Sequence, residues 1–527
     1  MITQENRVIT FSEDSREKIR AGVEKLADAV RVTMGPSGKN VLIEQEEAAP
    51  VLTKDGVTVA RAINLRDRFA NLGVHLVREA AQRTAEEAGD GTTTATVLAC
   101  AIFQEGLKAL AGGHELREIR DGIRSATEDL CQEVQKLSVP VSSDEDLRRV
   151  ANISVNNESG LAELIVQALK AVGNHGTVTV DEAKGFESSL DVVDGCELDR
   201  GYVSPYFVNK PARMTCEYSN PAILVTDRRI SSVHDLMHFM EEAARENRPL
   251  VIIGPETTGD ALQGLILNHS KNLIRACVLA APEFGASRLE ALHDMATLLG
   301  TEVLTGEPSS WRSTKLKDLG TCKKMSSYRF RTIFIGAGGT QEKIESRISE
   351  IKQAAFEYSD DAEMLSVFSR RIKRMNSGIG ILKVGGSTEA EISERKDRVE
   401  DALYATQAAM EEGIVAGGGS LLARAARSRL KKTKDLSIGE KILYQAACEP
   451  LKQIASNCGS VPEVILEKIV EKPKNFGYNG NTGKVCNLMK EGIVDPAKVT
   501  RLALQNASSV SINLLSIGCA MVKDEES

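Results

Sequence analysis

The run Gly89-Asp90-Gly91-Thr92-Thr93-Thr94-Ala95-Thr96 carries the strongest chemical signal in this sequence. Its glycines predict that one helix ends here and that another begins. The free N–H groups and the positive dipole end at a helix N-terminus bind phosphate oxygens, and threonine hydroxyls add donors. Asp90 is placed to hold a magnesium ion that keeps several of its waters. An ordinary helix-turn-helix link with capping threonines explains this run equally well.

Three other segments have the same character. Thr33-Met34-Gly35-Pro36 follows a predicted helix, Thr53-Lys54-Asp55-Gly56 predicts a turn with a second acid, and Gly417-Gly418 permits close backbone approach before a further helix. Their number favours a phosphate site over unrelated turns. The site is not a P-loop, because the segment from Gly35 to Asn40 has too few residues between its glycines and lacks the terminal Ser or Thr.

Signatures of several other enzyme classes are absent from the sequence. There is no G-x-S-x-G, no H-E-x-x-H and no C-x-x-C, and the seven histidines are dispersed. Acyl transfer, zinc hydrolysis and a structural zinc site are therefore not expected. A metabolic α/β enzyme would also need a nucleophile paired with a base in the middle of the chain, and we find no such pair.

The predicted secondary structure changes along the chain. Helical spacing of apolar residues marks the first 135 or so residues, as in Ile19, Val23 and Leu26, and returns after Gly386. Buried-strand runs, among them Leu250–Ile253, alternate with helical patterns between about 195 and 377. Helical ends around an α/β middle predict nested domains, with the outer domain built from both chain ends.

Composition and charge bound the possible partners. The chain has 527 residues, enough for roughly three or four domains, and a net charge of −8 with a pI near 5.7. We therefore expect neither nucleic acid nor an anionic membrane as a partner. The first residues lack a basic segment followed by an apolar stretch, and no apolar run approaches the length of a bilayer span, so we expect a cytoplasmic protein.

Two apolar stripes lie on predicted helices of the middle region. One contains Val233, Leu236, Met237 and Met240, and the other runs from Leu262 to Leu267. Periodicity alone favours a core position against the inserted sheet for both stripes. Methionine and aliphatic side chains also make adaptable, non-directional contacts when they lie on a surface.

Taken together, these segments resemble the group I chaperonins of the GroEL type, the 60 kDa chaperonins, as a somewhat diverged member. The resemblance covers essentially the whole chain, and its motifs are Leu26 to Val30, Thr53 to Val57, Gly89 to Thr96, Asp199 to Tyr202, Ser204 to Phe207, Arg398 to Leu403, Gly413 to Gly419 and Asp495-Pro496.

The resemblance implies a multidomain α and α/β subunit of an ATP-driven folding machine. It predicts an equatorial ATP-binding domain over 1–136 and 412–527, an intermediate hinge domain over 137–193 and 380–411, and an apical client-binding domain over 194–379. It further implies a homo-oligomer of seven-membered rings stacked in pairs, with non-native polypeptides and a GroES-type co-chaperonin as partners. ATP and Mg2+ are the implied cofactors, and K+ is an additional candidate.

The motif match also implies roles for individual residues. Asp401 would position the attacking water with support from Asp55, and Asp90 would hold the magnesium ion. The residues implied in ATP contact are Thr33, Met34, Gly35, Pro36, Lys54, Asp90, Gly91, Thr92, Thr93, Thr94, Gly418, Asn479, Gly480, Asn481 and Asp495. The residues implied to face outward and bind clients are Tyr202, Tyr206, Phe207, Met237, Met240, Leu262, Ile266 and Leu267.

One departure from the family pattern concerns the boundary between rings. Lys452 is basic where the family often has an arginine, but Val461 stands where an acidic partner is common, so that ion pair cannot form. A single ring is therefore an alternative to the stacked pair. The alternative to a cycling ATPase is a holdase that binds non-native chains without productive encapsulation, whose client binding would not respond to ATP.

Overall fold

The computed structural model describes residues 7–44, 50–141, 143–155, 158–172, 177–183, 185–283, 285–357, 362–376, 378–433 and 435–523. The chain forms two compact units. Unit 1 comprises residues 1–166, 184–187 and 384–527, and unit 2 comprises residues 167–183 and 188–383. Unit 1 is thus built from both ends of the chain around an insertion, as the sequence predicts.

The helices are α1 Ser12–Arg31, α2 Gly56–Ala62, α3 Arg68–Ala88, α4 Thr92–Ala111, α5 Leu116–Leu137, α6 Asp144–Ser154, α7 Ser159–Val172, α8 Met237–Arg245, α9 Gly259–Ser270, α10 Ala286–Leu299, α11 Gln341–Glu357, α12 Ala362–Asn376, α13 Glu389–Glu412, α14 Ser420–Lys432, α15 Ile438–Ala446, α16 Glu449–Asn457, α17 Pro462–Val470, α18 Leu488–Glu491 and α19 Ala497–Leu515.

The strands are β1 Arg7–Phe11, β2 Val41–Ile43, β3 Val51–Thr53, β4 Thr177–Glu182, β5 Ser189–Leu198, β6 Cys216–Ser219, β7 Ala222–Val225, β8 Leu250–Gly254, β9 Ala276–Ala280, β10 Gly320–Ser327, β11 Thr332–Ala337, β12 Gly378–Val384, β13 Ile414–Ala416, β14 Phe476–Asn479, β15 Lys484–Asn487, β16 Val494–Pro496 and β17 Cys519–Lys523.

Unit 1 is a helical body centred on α4. This helix packs against α1, α3 and α19, and its residues Leu98, Ile102 and Phe103 are fully buried. By length and composition α4 could cross a membrane, which corrects the sequence expectation that no apolar run is long enough. Its packing explains the composition, since the central helix of a large core is apolar on most of its surface.

Small antiparallel pairs of strands complete unit 1. Strand β1 pairs with β17, β2 with β3, β13 with β16, and β14 with β15. The pair β13–β16 aligns Val415 with Asp495 and so joins the segment before α14 to the segment before α19. Two stretches that lie about eighty residues apart in the sequence are thereby brought side by side.

Unit 2 contains a nine-stranded mixed sheet in the order β4-β12-β5-β11-β10-β7-β8-β9, with β6 also paired to β10. Strands β7, β8 and β9 are parallel and almost entirely buried, which confirms the predicted strand runs. A buried ion cluster joins three helices of this unit, because Asp294 of α10 accepts hydrogen bonds from Arg347 of α11 at 2.8 Å and Arg371 of α12 at 2.7 Å.

The predicted fold class, helical ends with an α/β middle, is confirmed by these elements. The three-domain division remains a prediction. Residues 194–379 fall within unit 2, and so do several residues assigned to the intermediate domain. The predicted boundary between residues 193 and 194 lies inside β5, whose strand continues from Ser189 to Leu198.

Candidate functional site

A cavity of about 190 Å³ in unit 1 gathers segments from both ends of the chain. Its lining includes seven of the predicted ATP-contacting residues, namely Met34, Gly35, Asp90, Gly91, Thr94, Gly418 and Asp495. Residues that the sequence did not single out, such as Pro450, Ile454, Val499 and Thr500, complete the wall. The cavity is smaller than the roughly 300–1,000 Å³ of a typical small-molecule site, so it would enclose only part of a nucleotide.

Three helices begin at this cavity without a side-chain cap. Helix α4 starts after Gly91 and α14 after Gly419, both glycines having left-handed backbone angles, and α19 starts after Pro496. Neither glycine nor proline can offer a side-chain oxygen to the first N–H groups of a helix. The positive dipole ends of three helices, none of them capped by a side chain at its N-cap residue, make the cavity suitable for an anion such as a polyphosphate.

The turn between α3 and α4 places Asp90 at this cavity. Helix α3 ends at Gly89, which has a φ of +72°, and Gly91 follows with a φ of +86°. A Cβ at Gly89 would lie only 2.0 Å from the Cβ of Tyr404 on α13, so only glycine permits this contact. The same turn therefore places Asp90 at the cavity and receives α13, the helix that carries Asp401 one turn before Tyr404.

Asp55 is fixed at the start of α2. Its carboxylate accepts hydrogen bonds from the N–H groups of Val57 at 3.0 Å and Thr58 at 2.8 Å, and from the hydroxyl of Thr58 at 2.6 Å. The next residue, Gly56, lies against the threonines of α4, because a Cβ there would come within 2.3 Å of the Thr93 hydroxyl. The predicted turn with a second acid is thus a capped helix start held against the α3–α4 turn.

Asp90 interacts electrostatically with three other acids, Asp55, Asp401 and Asp495. Burial raises the pKa of Asp90; the N–H of Gly91 opposes this shift and the charge of Asp55 adds to it. Burial also raises the pKa of Asp401 well above its usual range, and Asp90 and Asp55 add to that shift. The pKa of Asp495 is raised to about 6 by burial and by Asp90, against hydrogen bonds from backbone N–H groups.

A cation would relieve this repulsion, and the donor set fits magnesium better than a metal that needs an all-protein cage. Among the described residues, no three His, Cys, Asp or Glu side chains are close enough to hold a metal by themselves. Mg2+ binds through one or two carboxylates and takes its other ligands from phosphates and water. Asp90 lines the cavity where the uncapped helix starts would hold those phosphates.

The other predicted contact residues are not among those that line the cavity. The Thr33 hydroxyl donates to the carbonyl of Val30 at 2.9 Å, and Pro36 touches Gly480, where a Cβ would lie 2.7 Å from the proline Cγ. Asn479 accepts from the N–H of Asn481 at 3.0 Å. Thr92 and Thr93 face Gly56, and Lys54 is exposed beside Asp55.

A larger cavity of about 440 Å³ lies on another face of α16, lined by Arg31, Glu105, Glu449 and Lys452 among others. Its charges are matched, since Lys452 pairs with Glu449 at 2.9 Å and Glu105 with Lys108 at 2.6 Å. The three helix starts, Asp90 and Asp495, which line the smaller cavity, are not among its lining residues. The smaller cavity is therefore the better candidate for a nucleotide.

The predicted client surface of unit 2 is only partly exposed. Tyr206 is 71% exposed, Leu267 53% and Met237 41%, whereas Leu262 and Ile266 are half-buried. The outward orientation expected for Phe207, Tyr202 and Met240 is wrong: all three are buried in the core of unit 2.

Packing within unit 2 explains why these three side chains are buried. The Phe207 ring lies 5.8 Å from the ring of His269, and the Tyr202 hydroxyl donates to the carbonyl of Met214 at 3.2 Å. Met240 lies on the side of α8 that carries the buried Phe239 and Ala243. The core position that periodicity favours is thus confirmed for Met240, while Met237 and Leu267 remain available for contact.

Sequence reasoning missed several residues that shape the site. Tyr404 fixes the approach of α13, and Val499 packs where a Cβ on Gly91 would lie 2.7 Å from its Cγ1. Asn457 at the end of α16 bonds to the loop that contains Met34. Nothing in the local pattern of these residues differs from core or capping positions, so only the tertiary contacts reveal them.

Most of the chain matches one protein family. The sequence matches the TCP-1/cpn60 chaperonin family over residues 26–248 and 259–525. The matched ranges include every predicted site residue.

Two solved structures share the fold. Both are of the chaperonin gp146 from the bacteriophage EL 2 (Pseudomonas aeruginosa), crystallised in the presence of ATP-BeFx in two crystal forms. Each is 22% identical to this chain and covers 98% of it. The TM-scores are 0.70, with 100% of that chain covered, and 0.63, with 99% covered.

Proposed function

The chain belongs to the TCP-1/cpn60 chaperonin family, and from this premise we propose that it is an ATP-dependent chaperone that binds non-native polypeptides and promotes their folding in a ring-shaped chamber. The observation that carries the proposal is a cavity of unit 1 lined by three helix starts without side-chain caps and by the carboxylates of Asp90 and Asp495. Such a site suits a magnesium nucleotide, and the phage relative was crystallised with ATP-BeFx.

We assign the triphosphate to the helix starts after Gly91, Gly419 and Pro496, and the nucleoside to the edge formed by Pro36 and Gly480. Asp90 would hold Mg2+, which neutralises phosphate charge when bound. Asp401 would orient the attacking water, because α13 presents it to the same carboxylate cluster. Asp55 would support this arrangement from its fixed capping position.

Exposed apolar strands in unit 1 support assembly into a ring. The hairpin β2–β3 exposes Leu42 and Leu52, and the pair β1–β17 exposes Phe11. Two-stranded sheets with apolar faces and free edges are marginal alone and tend to pair with another chain. We assign these strands to contacts between copies of the subunit.

Stacking of two rings is the less supported part of the assembly. Lys452 already pairs within the subunit with Glu449 at 2.9 Å and Glu463 at 3.9 Å, and Val461 is exposed. Isolated surface ion pairs contribute only about 0–1 kcal/mol, so an apolar Val461 does not by itself forbid stacking. Native mass spectrometry of the purified protein distinguishes one heptameric ring from two.

The client surface that we propose consists of Tyr206, Met237, Leu262, Ile266 and Leu267 of unit 2. Exposed and half-buried apolar side chains of this kind bind collapsed chains without reading their sequence. A GroES-type co-chaperonin would compete for the same surface. The protein would act in the cytoplasm, with K+ as an additional activating ion.

Refolding of a chemically denatured enzyme tests the proposal. We expect recovery of activity with the purified protein, ATP and a co-chaperonin, and little recovery when ATP is omitted. Suppressed aggregation with no ATP-dependent recovery would favour the holdase instead. The Asp401→Ala variant is the matched control, because it should capture the denatured enzyme but not cycle.

A further inference from the structure

Asn457 connects the last turn of α16 to the loop that follows α1. Its amide nitrogen lies 3.0 Å from the carbonyl oxygen of Arg31 and 2.9 Å from that of Met34, so it donates one hydrogen to each. Both acceptors are carbonyls at or just beyond the C-terminus of α1, where the last carbonyls lack helical partners. Asn457 thus satisfies two backbone groups of a loop that lines the proposed nucleotide cavity.

The orientation of this amide is fixed from its other side. Gln453, one turn earlier on α16, donates from Nε2 to Oδ1 of Asn457 at 2.8 Å. The oxygen of Asn457 therefore faces a donor while its NH2 group faces two acceptors, an assignment that only one of the two amide orientations satisfies. Gln453 and Asn457 form a short chain of hydrogen bonds that ends on the loop.

The loop itself is tightly folded and can take few other positions. The N–H of Lys39 donates to the carbonyl of Val32 at 2.8 Å, and the N–H of Gly38 to that of Gly35 at 3.0 Å. A Cβ on Gly35 would lie 3.1 Å from Ile454, which lies on α16 three residues before Asn457. Helix α16 therefore fixes both the backbone and the packing of this loop.

We propose that Asn457 is a positioning residue for nucleotide binding: it holds the Thr33–Pro36 loop in the conformation that receives the nucleotide. This inference rests on the proposed function. The side chain of Asn457 donates its hydrogen bonds to the loop and not to the carboxylates or to α13. Its loss should therefore weaken nucleotide binding and leave the cleavage step unchanged.

Two substitutions separate this role from general stability. Asn457→Ala removes both donors, and Asn457→Asp places a carboxylate oxygen against two carbonyl oxygens. Asn457→Ala loses two hydrogen bonds to the loop, and one lost hydrogen bond corresponds to up to about a tenfold change in an equilibrium constant, so we expect the KM for ATP to rise at least about tenfold in Asn457→Ala and further in Asn457→Asp. The kcat at saturating ATP should stay within about twofold of wild type.

Asn71→Ala is the matched control. The side-chain oxygen of Asn71 accepts a hydrogen bond from the N–H of Leu65 at 3.0 Å. This change therefore also removes one hydrogen bond between an asparagine side chain and the backbone of unit 1, but at the start of α3 and not at the loop. We expect an unchanged KM in that variant. An equal KM in wild type and both Asn457 variants would overturn the inference while leaving the proposed function intact.

Hydrogen–deuterium exchange in the absence of nucleotide gives a second readout. The amides of Met34, Gly38 and Lys39 should exchange faster in Asn457→Ala than in wild type or Asn71→Ala, because the loop loses its attachment to α16. If wild type bound no ATP, the proposed function would fail, yet this exchange pattern would still report on the attachment. Unchanged exchange in these three amides would contradict the attachment.

Discussion

The two units depart from ordinary packing rules in opposite ways. Unit 1 accepts electrostatic strain, because Asp90, Asp401 and Asp495 all have raised pKa values in one region of a helical body. Unit 2 instead neutralises its most buried acid, Asp294, with two arginines and leaves apolar side chains such as Tyr206 in solvent. Each departure costs stability, so each marks the place where a ligand or partner would restore it.

The largest expected effect separates chemistry from binding in unit 1. Asp401→Ala should lower the ATP turnover rate by roughly a hundredfold or more, because the water would lose its positioning group. The dissociation constant for ATP should change little, since the phosphate contacts come from the helix starts. A steady-state phosphate-release assay measures the first quantity, and titration calorimetry measures the second.

Glu394→Ala on the same helix is the control for that experiment. Glu394 is exposed and pairs with Arg398 at 3.6 Å, so its removal also deletes one carboxylate from α13. Its turnover should match wild type. Equal turnover in Asp401→Ala and Glu394→Ala would refute the role of Asp401.

A neighbouring pair of aromatics gives the matched test in unit 2. Phe207 is fully buried and Tyr206 is exposed, so Phe207→Ala should destabilise unit 2 by about 3–5 kcal/mol, whereas Tyr206→Ala should leave its stability nearly unchanged. Denaturant unfolding followed by the fluorescence of Trp311, the only tryptophan and a buried residue of unit 2, measures both.

Exposed residues of unit 2 should matter for binding of a denatured protein even though they contribute little to the stability of the unit. Tyr206→Ala and Leu267→Ala should each weaken binding of a denatured protein several-fold, because the minority of interface residues that anchor a partner each cost more than about 1 kcal/mol when truncated. Binding measured by fluorescence anisotropy of a labelled client checks this. Wild-type affinity for the labelled client in the Tyr206→Ala, Leu267→Ala double variant would show that this surface does not bind clients.

The smallest effect concerns pH and unit 2. Burial lowers the pKa values of His238 and His269, so the unfolded chain binds their protons more readily than the folded one. This contribution to stability is present above the unfolded pKa of about 6.5 and is lost as the pH falls below it. The denaturant concentration at the midpoint of unfolding, followed by Trp311 fluorescence, should therefore fall between pH 7.5 and pH 5.5. The fall should be larger in wild type than in the double variant His238→Gln, His269→Gln. An equal fall in both proteins would contradict the attribution of this pH dependence to His238 and His269.

The sequence predicts local features of unit 1 better than the surface of unit 2. The glycines of Gly89 to Thr96 predict the end of α3 and the start of α4, which the structure confirms, because left-handed glycines end helices for local reasons. The exposed side of α8 and α9 was harder to predict. A stripe of apolar residues has the same spacing whether it packs inward or faces solvent, so Met240 and Met237 cannot be told apart without the packed sheet.

The contacts between distant segments were also beyond sequence reasoning. The meeting of Gly89 with Tyr404, and of Asn457 with Met34, depends on how helices separated by hundreds of residues pack together. Their residue types are ordinary for helix ends and helix faces. The acid cluster was found only in part, since motif similarity named its members but did not reveal their mutual repulsion.

Titration calorimetry of the purified protein with ATP, in the presence and absence of Mg2+, decides whether unit 1 holds a magnesium-nucleotide site. We predict saturable binding that depends on Mg2+ in wild type and that loses most of this dependence in Asp90→Ala. Absence of saturable binding to wild type, with or without Mg2+, would contradict the nucleotide site and the ATP-driven function that depends on it.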